Sequence, residues 1–212
     1  MIHASQLRDE LNKQLTNNYL TLDEPVIEKL TDYLLLIEKW NQLHNLTSIR
    51  NPTQMVPKHI LDSLSISPYL QGTRILDVGT GAGLPGIPLA LTYPNYHFTL
   101  LDSNGKKTRF LTHVIQNLAI SNIDIIQTRV EDFRVDICFD SIITRAFSTL
   151  TDFLKKTHHL ACSKGIFLSM KGQYPTEEIN SLDSRFTVTS VNPIQITGLN
   201  EKRHVIVIEL NH

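Results

Sequence analysis

The sequence predicts an α/β fold: a mostly parallel seven-stranded sheet that ends in an antiparallel hairpin and carries an N-terminal helical extension. From Thr73 onward, short apolar runs alternate with amphipathic segments, and the last two runs are separated only by TGLNEK. Such alternation is typical of parallel strands with right-handed crossovers, and so short a connection fits only an antiparallel hairpin. Helical spacing in the first part predicts a cap over residues 1–70 on a main domain over 71–212, together one compact unit.

Three helical segments make up the cap. Ser5 stands where it would cap a helix through LRDELNKQLT, and Pro25 lies in the first turn of a longer helix, where its fixed φ is tolerated. A third segment follows Asn51-Pro52 and carries HILDSLSI. In the second helix the apolar residues recur at helical spacing: Val26, Ile27, Leu30, Leu34, Ile37 and Trp40.

Five strands and three helices precede the hairpin. The strand-like runs are rich in β-branched or aromatic residues and cover 74–78, 97–101, 123–127, 139–144 and 165–170. Amphipathic segments at 84–91, 106–118 and 150–160 predict the helices between them. RFTVTSVNPIQI and RHVIVIEL then form the hairpin.

The bulk composition is that of an ordinary globular protein: 212 residues, 41% hydrophobic and 19% charged. No apolar run approaches the roughly 20 residues of a membrane helix, and MIHASQLRDE lacks the blocks of a secretory signal. Cys138 and Cys162 have no metal-ligand spacing and make no disulfide framework, so we expect core or near-core thiols and a reducing, cytoplasmic location. With a net charge of −1, any nucleic-acid partner would need a local basic patch.

The stretch LDVGTGAGLPGIPLA, residues 76–90, contains two overlapping cofactor patterns. From Gly81 it reads G-x-G-x-x-G, the dinucleotide pattern, and from Asp77 it reads D-x-G-x-G-x-G, the loop that methyltransferases use for S-adenosylmethionine (SAM). Asp102, after the next strand, suits a ribose in either case. Pro85 and Pro88 remove amide donors that a pyrophosphate would use, and Asp77 suits the SAM ammonium group. The loop therefore favours SAM over a dinucleotide or a glycine turn without a ligand.

Seven motifs between residues 45 and 172 carry a resemblance to a known family: NLTSIR (45–50), HILDSL (59–64), DVGTGAGLPGIPLA (77–90), LLDSNGKKTRFL (100–111), TRVED (128–132), ITRAF (143–147) and MKG (170–172). The chain resembles the bacterial glucose-inhibited division protein B family, also called RsmG, the small-subunit (16S) ribosomal RNA guanine-N7 methyltransferases. The resemblance implies a Rossmann-like SAM-dependent methyltransferase fold. It also implies methyl transfer to N7 of a guanosine, with 16S rRNA or the small ribosomal subunit as partner.

The resemblance implies SAM contacts at Gly79, Leu84, Val130, Glu131 and Arg145, in addition to Asp77, Gly81, Gly83 and Asp102 from the loop pattern. Arg145 is the catalytic candidate. Three roles are open for Arg145: it contacts SAM, it binds RNA phosphate or guanine O6, or it forms an ion pair with Asp140 or Asp152. Glu131 could instead be a negative charge favoured at a helix N-terminus, and Asp102 could instead cap the helix that follows it.

Guanine N7 offers a lone pair and carries no proton, so its methylation needs orientation rather than a general base. Enzymes that methylate exocyclic amines commonly carry an Asn/Asp-Pro-Pro-Tyr/Phe motif after the fourth strand. Here that position reads Thr144-Arg145-Ala146-Phe147, which favours N7 as the target.

The candidate RNA contacts are four cations and one aromatic residue, Lys106, Lys107, Arg109, Lys171 and Phe147. Their structural alternatives are a solvated helix face, a loop turn and core packing. His59 and Asp62 share a helix face, and we expect a structural hydrogen bond or a lid over the cofactor cleft rather than a metal site.

Two rival functions stay open at this point: a SAM-binding scaffold or regulatory protein without transferase activity, and a nicotinamide-dependent oxidoreductase. We expect no metal and no membrane partner, and a monomer is the default assembly.

Overall fold

The structure is a computed structural model that describes residues 3–145, 147 and 149–211. Its centre is one mixed sheet of seven strands. Strand bounds agree closely with the apolar runs of the sequence, because fully buried parallel strands leave continuous hydrophobic stretches. The strands are β1 Arg74–Val78, β2 His97–Leu101, β3 Ile123–Ile126, β4 Phe139–Thr144, β5 Ala161–Lys171, β6 Phe186–Ile194 and β7 Arg203–Leu210.

The strand order is β3-β2-β1-β4-β5-β7-β6, and β7 runs antiparallel to both of its neighbours, β5 and β6. The order reverses between β1 and β4, whose pairing runs from Ile75 opposite Ser141 to Asp77 opposite Ile143. In open α/β sheets, ligands bind at the carboxyl ends of the strands on either side of such a switch point. The topology therefore places the ligand site beyond Val78 and Thr144.

The longer helices of the main domain occupy the predicted crossovers. Their bounds are α5 Gly86–Thr92, α6 Gly105–Leu118 and α7 Leu150–Thr157, the last followed by a 3₁₀ turn at His158–Leu160; a shorter helix, α8 Thr176–Asn180, follows β5. Asn104 and Thr149 cap α6 and α7 by accepting hydrogen bonds from the amides of Lys106 and Asp152.

The N-terminal segment contains α1 Ala4–Asn17, α2 Glu24–His44, α3 Pro52–Met55, a π-helix at Val56–Leu61, α4 Asp62–Leu64 and a 3₁₀ turn at Ser67–Tyr69. Pro25 lies in the first turn of α2, as predicted. The prediction that Ser5 caps α1 is wrong, because the helix already starts at Ala4 and His3 occupies the cap position without a side-chain bond.

The N-terminal helices share a hydrophobic core with the sheet. Leu7 of α1 and Leu34 of α2 belong to the same buried cluster as Leu89 and Leu111 of α5 and α6. Burying one such side chain contributes about 1.5–3 kcal/mol, so this packing fixes the cap over the sheet. The boundary at residue 70 remains a proposal. Within the described ranges, no helix is long and apolar enough to cross a membrane.

The expectation of core or near-core thiols is wrong. Cys138 and Cys162 are both half-buried, and they form a disulfide. The pairing of Phe139 with Ala161 brings the amino ends of β4 and β5 together, and the cysteines adjoin that pair in sequence. Sequence spacing alone does not reveal this proximity, because the two residues are joined only through strand pairing. The disulfide lies at the opposite end of β4 from the ligand edge.

Candidate functional site

The glycine loop after β1 is held by the carboxylate of Asp77, which is completely buried. Its Oδ2 accepts hydrogen bonds from Thr80 Oγ1 at 2.7 Å and from the amide of Gly86 at 2.9 Å. Asp77 thus joins the start of the loop to the first turn of α5. This role in holding the loop was not part of the sequence prediction.

Not all the glycines face the same surroundings. Gly79 and Gly81 have φ of +70° and +63°, which side-chain-bearing residues rarely adopt. A Cβ on Gly79 would meet no atom within 4 Å, and one on Gly81 would meet only atoms 3.9 Å away. A Cβ on Gly83 would lie 2.4 Å from Ile87 Cδ1. The first two glycines therefore border open space, whereas Gly83 allows α5 to pack closely against the loop.

Asp77 Oδ1 is buried without a hydrogen-bond partner among the described residues. Burial raises the pKa of Asp77 to about 6, against the hydrogen bonds from Thr80 and Gly86 and the charge of Arg145, which all lower it. A buried acceptor without a donor is unfavourable, so this oxygen is suited to a ligand cation or amine. The SAM ammonium group is such a donor.

Asp102 follows β2 and is 6% exposed. Its Oδ2 accepts from the amide of Gly81 at 2.9 Å and lies 3.5 Å from Lys107 Nζ, while its Oδ1 accepts from the amide of Asn104 at 2.9 Å. Each carboxylate oxygen has a second acceptor site, so Asp102 fixes the loop and still has capacity for ribose hydroxyls. It does not cap α6, because that role belongs to Asn104.

A cavity of about 170 Å³ lies beyond the carboxyl ends of β1, β2 and β3, and we name it the cofactor cleft after the role proposed for it below. Its lining residues include Gly79, Asp102, Val130, Glu131 and Phe147. Glu131 is exposed and pairs with Lys156 at 3.2 Å, in the 3₁₀ turn Val130–Asp132 that follows β3. Four predicted cofactor residues thus meet at one place, and Phe147 joins them although it was predicted as an RNA contact.

Leu84 lies elsewhere. It is 3% exposed and belongs to the main hydrophobic cluster, so its side chain supports the loop from inside. Tyr33 of α2 donates from its hydroxyl to the backbone oxygen of Ala82 at 2.6 Å. The helical cap therefore also fixes the shape of the glycine loop.

A second cavity, of about 470 Å³, lies beyond β4, β5 and β7, and we name it the nucleotide cleft after the role proposed for it below. Four cations and two carboxylates line it, together with the neutral histidine described below: Lys58, Arg145, Lys171, Arg203, Asp62, Glu201 and His59. The excess of positive charge in this cavity gives a protein with a net charge of −1 the local basic patch that an RNA partner requires.

Arg145 lines the nucleotide cleft rather than the cofactor cleft. Its Nη1 donates to the backbone oxygen of Lys58 at 3.3 Å and to Asp62 Oδ2 at 3.4 Å. Asp140, one predicted partner, instead accepts from the amides of Thr73 and Arg74 at the other end of β4. Arg145 is placed there because it follows directly after β4, one residue beyond Thr144.

Asp62 is 3% exposed, and its other oxygen, Oδ1, accepts from Arg203 Nε at 3.0 Å. Burial raises the pKa of Asp62, and the charges of Arg145 and Arg203 oppose that rise. Of the two predicted alternatives, a structural hydrogen bond or a lid, the structure shows hydrogen bonds to Asp62, with two arginines as the donors. Arg203, Lys58 and Glu201 were missed by sequence reasoning.

His59 is a neutral, fully bonded histidine. Its Nδ1 lies 3.0 Å from the backbone oxygen of Lys58, and since a carbonyl only accepts, Nδ1 carries the proton. Its Nε2 then accepts from Thr47 Oγ1 at 3.0 Å. Burial, followed by the charge of Arg145, lowers the pKa of His59 to about 4. His59 therefore fixes the loop at Thr47 and offers no free base at neutral pH.

Comparison with known proteins identifies the family. Residues 26–206 match the family described as GidB, rRNA small subunit methyltransferase G. The ribosomal RNA small subunit methyltransferases G of Salmonella paratyphi B and Salmonella typhi are each 45% identical over 203 residues, covering 96% of this chain and 98% of each relative. The chain belongs to the rRNA small subunit methyltransferase G family. The protein is thus an rRNA methyltransferase.

Solved structures of other methyltransferases share the fold of this rRNA methyltransferase. TrmN from Thermus thermophilus matches with a TM-score of 0.57 at 19% identity, covering 71% of this chain and 48% of that one. The Pyrococcus abyssi tRNA (uracil-54, C5)-methyltransferase, in complex with S-adenosyl-L-homocysteine, matches with a TM-score of 0.56 at 17% identity, covering 75% and 39%. The predicted Rossmann-like methyltransferase fold is confirmed.

Of the predicted RNA residues of this methyltransferase, only Lys171 lines the nucleotide cleft, where it pairs with Glu178 at 2.9 Å. Lys106 and Arg109 are exposed on α6, on the other side of the switch point, and Lys107 pairs with Asp102 beside the glycine loop. Ala146 of the ITRAF motif lies outside the described residues. No group of three or more potential metal ligands occurs in the described part of the chain.

Proposed function

We propose that this rRNA methyltransferase transfers the methyl group of SAM to N7 of a guanosine in 16S rRNA. One observation carries the proposal: two clefts of different chemistry lie on opposite sides of the switch point between β1 and β4. The cofactor cleft is lined by a glycine loop and carboxylates, and the nucleotide cleft by an excess of cations. The glycine loop and carboxylates suit the methyl donor, and the cations suit the phosphates of an RNA nucleotide.

The residues of the cofactor cleft fit SAM. Gly79 borders open space, and Asp102 retains acceptor capacity for ribose hydroxyls. Asp77 does not line the cleft itself, but its buried Oδ1 has no hydrogen-bond donor among the described residues. Val130 and Glu131 line the same cavity and would hold the adenosine of the cofactor. When bound, SAM supplies an electrophilic methyl group on a sulfonium.

The nucleotide cleft suits a nucleophile that loses no proton. His59 is neutral with both ring nitrogens bonded, Asp62 is held by two arginines, and Glu201 pairs with Lys58 at 2.6 Å. These groups leave no unpaired general base among the described residues that line the cleft. Guanine N7 needs none, since its lone pair attacks directly, and orientation of the purine supplies the catalysis.

The cations bind the polynucleotide backbone and orient the base. Lys58 and Lys171 each lie 2.9 Å or less from a glutamate, while Arg145 and Arg203 are about one-quarter exposed. Guanidinium groups present several donors in a fixed geometry and suit both phosphate and guanine O6. We further propose that the protein works in the cytoplasm, as a monomer, on rRNA of the small subunit.

The test is methyl transfer from tritiated SAM to purified 16S rRNA and to 30S subunits side by side. The modified position is mapped by reduction and aniline cleavage, which is specific for 7-methylguanosine. We expect one cleavage site. Incorporation without cleavage would refute N7 as the target, and SAM binding without transfer to either substrate would favour a scaffold.

A further inference from the structure

The buried carboxylate of Asp62 joins two arginines from distant parts of the chain. Arg145 follows β4 and Arg203 begins β7, and they reach opposite oxygens of Asp62, at 3.4 Å and 3.0 Å. Asp62 belongs to the HILDSL motif, and its side chain is 4% exposed against 25% and 23% for the two arginines. One carboxylate thus fixes the two cations that face the nucleotide cleft from β4 and β7.

This arrangement exceeds what stability requires. A buried carboxylate is costly unless it is paired, yet one guanidinium suffices to pair it, and apolar replacement of buried ion pairs is often neutral. Here two guanidinium groups converge on it. Of their N–H groups, Nε and Nη2 of Arg145 and Nη2 of Arg203 have no protein acceptor among the described residues. These donors remain available to a ligand.

We propose that Asp62 is a positioning residue for methyl transfer: it holds Arg145 and Arg203 together so that their remaining donors orient one nucleotide, and it offsets part of their charge beside the reacting purine. The inference rests on the proposed function.

The reaction chemistry explains the need for this offset. Methylation forms a bond between N7 and the methyl carbon and breaks the bond from that carbon to sulfur, whose electron pair stays on the sulfur. No proton moves, and the purine becomes a cation. Two unpaired guanidinium groups would repel the positive charge that develops on the ring. With Asp62 between them, the triad carries one net positive charge rather than two.

Asp62→Asn keeps the shape of the side chain and removes its charge. We expect methyl transfer at saturating RNA to slow by on the order of 10²-fold, the scale of a small misplacement of reacting groups. We expect RNA affinity, measured without SAM by filter binding, to be unchanged or tighter, because one positive charge is uncovered. A purely structural role would instead lower RNA affinity and turnover together.

Asp140→Asn is the matched control. Asp140 is a half-buried carboxylate with two hydrogen-bond donors, but it lies at the amino end of β4, away from both clefts. We expect a lower Tm and unchanged turnover. If Asp62→Asn does not fold, Asp62→Glu is measured instead. The glutamate keeps the negative charge but shifts the two guanidinium groups, so we expect slower turnover with wild-type RNA affinity.

Wild-type turnover in the folded Asp62 variant, or RNA affinity lost in proportion to turnover, overturns the inference. Absence of transfer by the unmodified protein is a different result, because it overturns the proposed function itself. The unmodified protein is therefore measured in the same experiment.

Discussion

Gly79→Val separates cofactor binding from folding at the glycine loop. Gly79 has φ of +70°, and a Cβ there would meet no protein atom within 4 Å. The Cβ of the new side chain therefore has room, and we expect the cost to folding to come mainly from the backbone conformation. The added atoms occupy the open space that we assign to SAM.

The expected magnitudes differ for the two properties. A β-branched residue in the left-handed region costs about 2 kcal/mol, which lowers the Tm of a chain of this size by about 4–8 °C. The sheet and the rest of the loop stay intact. For SAM we expect affinity to fall by at least about 100-fold, which corresponds to about 2.8 kcal/mol.

Isothermal titration calorimetry with SAM and thermal unfolding measure the two effects. Gly198→Val is the control, because Gly198 also has a positive φ, +89°, but lies in the β6–β7 connection against the flexible Gln14 side chain. It should lower the Tm by a comparable amount and leave SAM affinity unchanged. A folded Gly79→Val protein with wild-type SAM affinity would refute the loop assignment.

Three further predictions follow from groups described above. Reduction of the Cys138–Cys162 disulfide, which spans 24 residues, should lower the free energy of unfolding by about 3 kcal/mol in urea titrations with and without dithiothreitol, and leave methyl transfer unchanged. From about pH 4 to 6, Asp77 should make the free energy of unfolding fall with rising pH, because its folded pKa of about 6 exceeds its unfolded pKa of 3.8. His59 should make the free energy of unfolding rise over the same range, because its folded pKa of about 4 lies below its unfolded pKa of 6.5. Urea titrations across this range should therefore give a steeper rise for Asp77→Asn than for wild type, and a fall for His59→Gln. Arg145→Ala should reduce methyl transfer by on the order of 10²-fold with the fold intact by circular dichroism.

Each of these has a contrary outcome. Loss of transfer on reduction would mean that the disulfide end of the sheet communicates with the clefts. Parallel pH profiles for the Asp77 and His59 variants would show that their folded pKa values are not shifted. For Arg145→Ala, SAM calorimetry and RNA filter binding decide which ligand the guanidinium contacts.

The central strands of the sheet were predictable because they are buried on both faces. β1, β2 and β4 begin and end where the apolar runs do. β5 begins at Ala161, earlier than the apolar run at 165, because the added residues are polar or partly exposed and owe their extended form to pairing with β4. Likewise, nothing in HILDSL distinguishes a π-helix from an α-helix, since both give similar apolar spacing.

The loop of the proposed cofactor cleft was predictable from local motifs, whereas the contacts that shape the proposed nucleotide cleft were not. Asp77, Gly79 and Asp102 lie in short motifs whose geometry is local. The Asp62–Arg203 bond joins residues 141 positions apart, so no spacing rule reveals it. The one sequence signal for Arg203 was its position as a cation at the start of the last strand. In the sheet its neighbour His204 lies opposite Lys171 of β5, so Arg203 comes close to the end of β5.

The Asp62–Arg203 bond also has a consequence for the order of assembly. The lining of the cofactor cleft comes from residues between 78 and 156, whereas the nucleotide cleft needs residues from 47 to 203. Contacts between distant residues close large loops and tend to form late. During synthesis, the residues that line the proposed cofactor cleft therefore emerge before the final strand that completes the proposed nucleotide cleft, and we expect RNA binding only once that strand is in place.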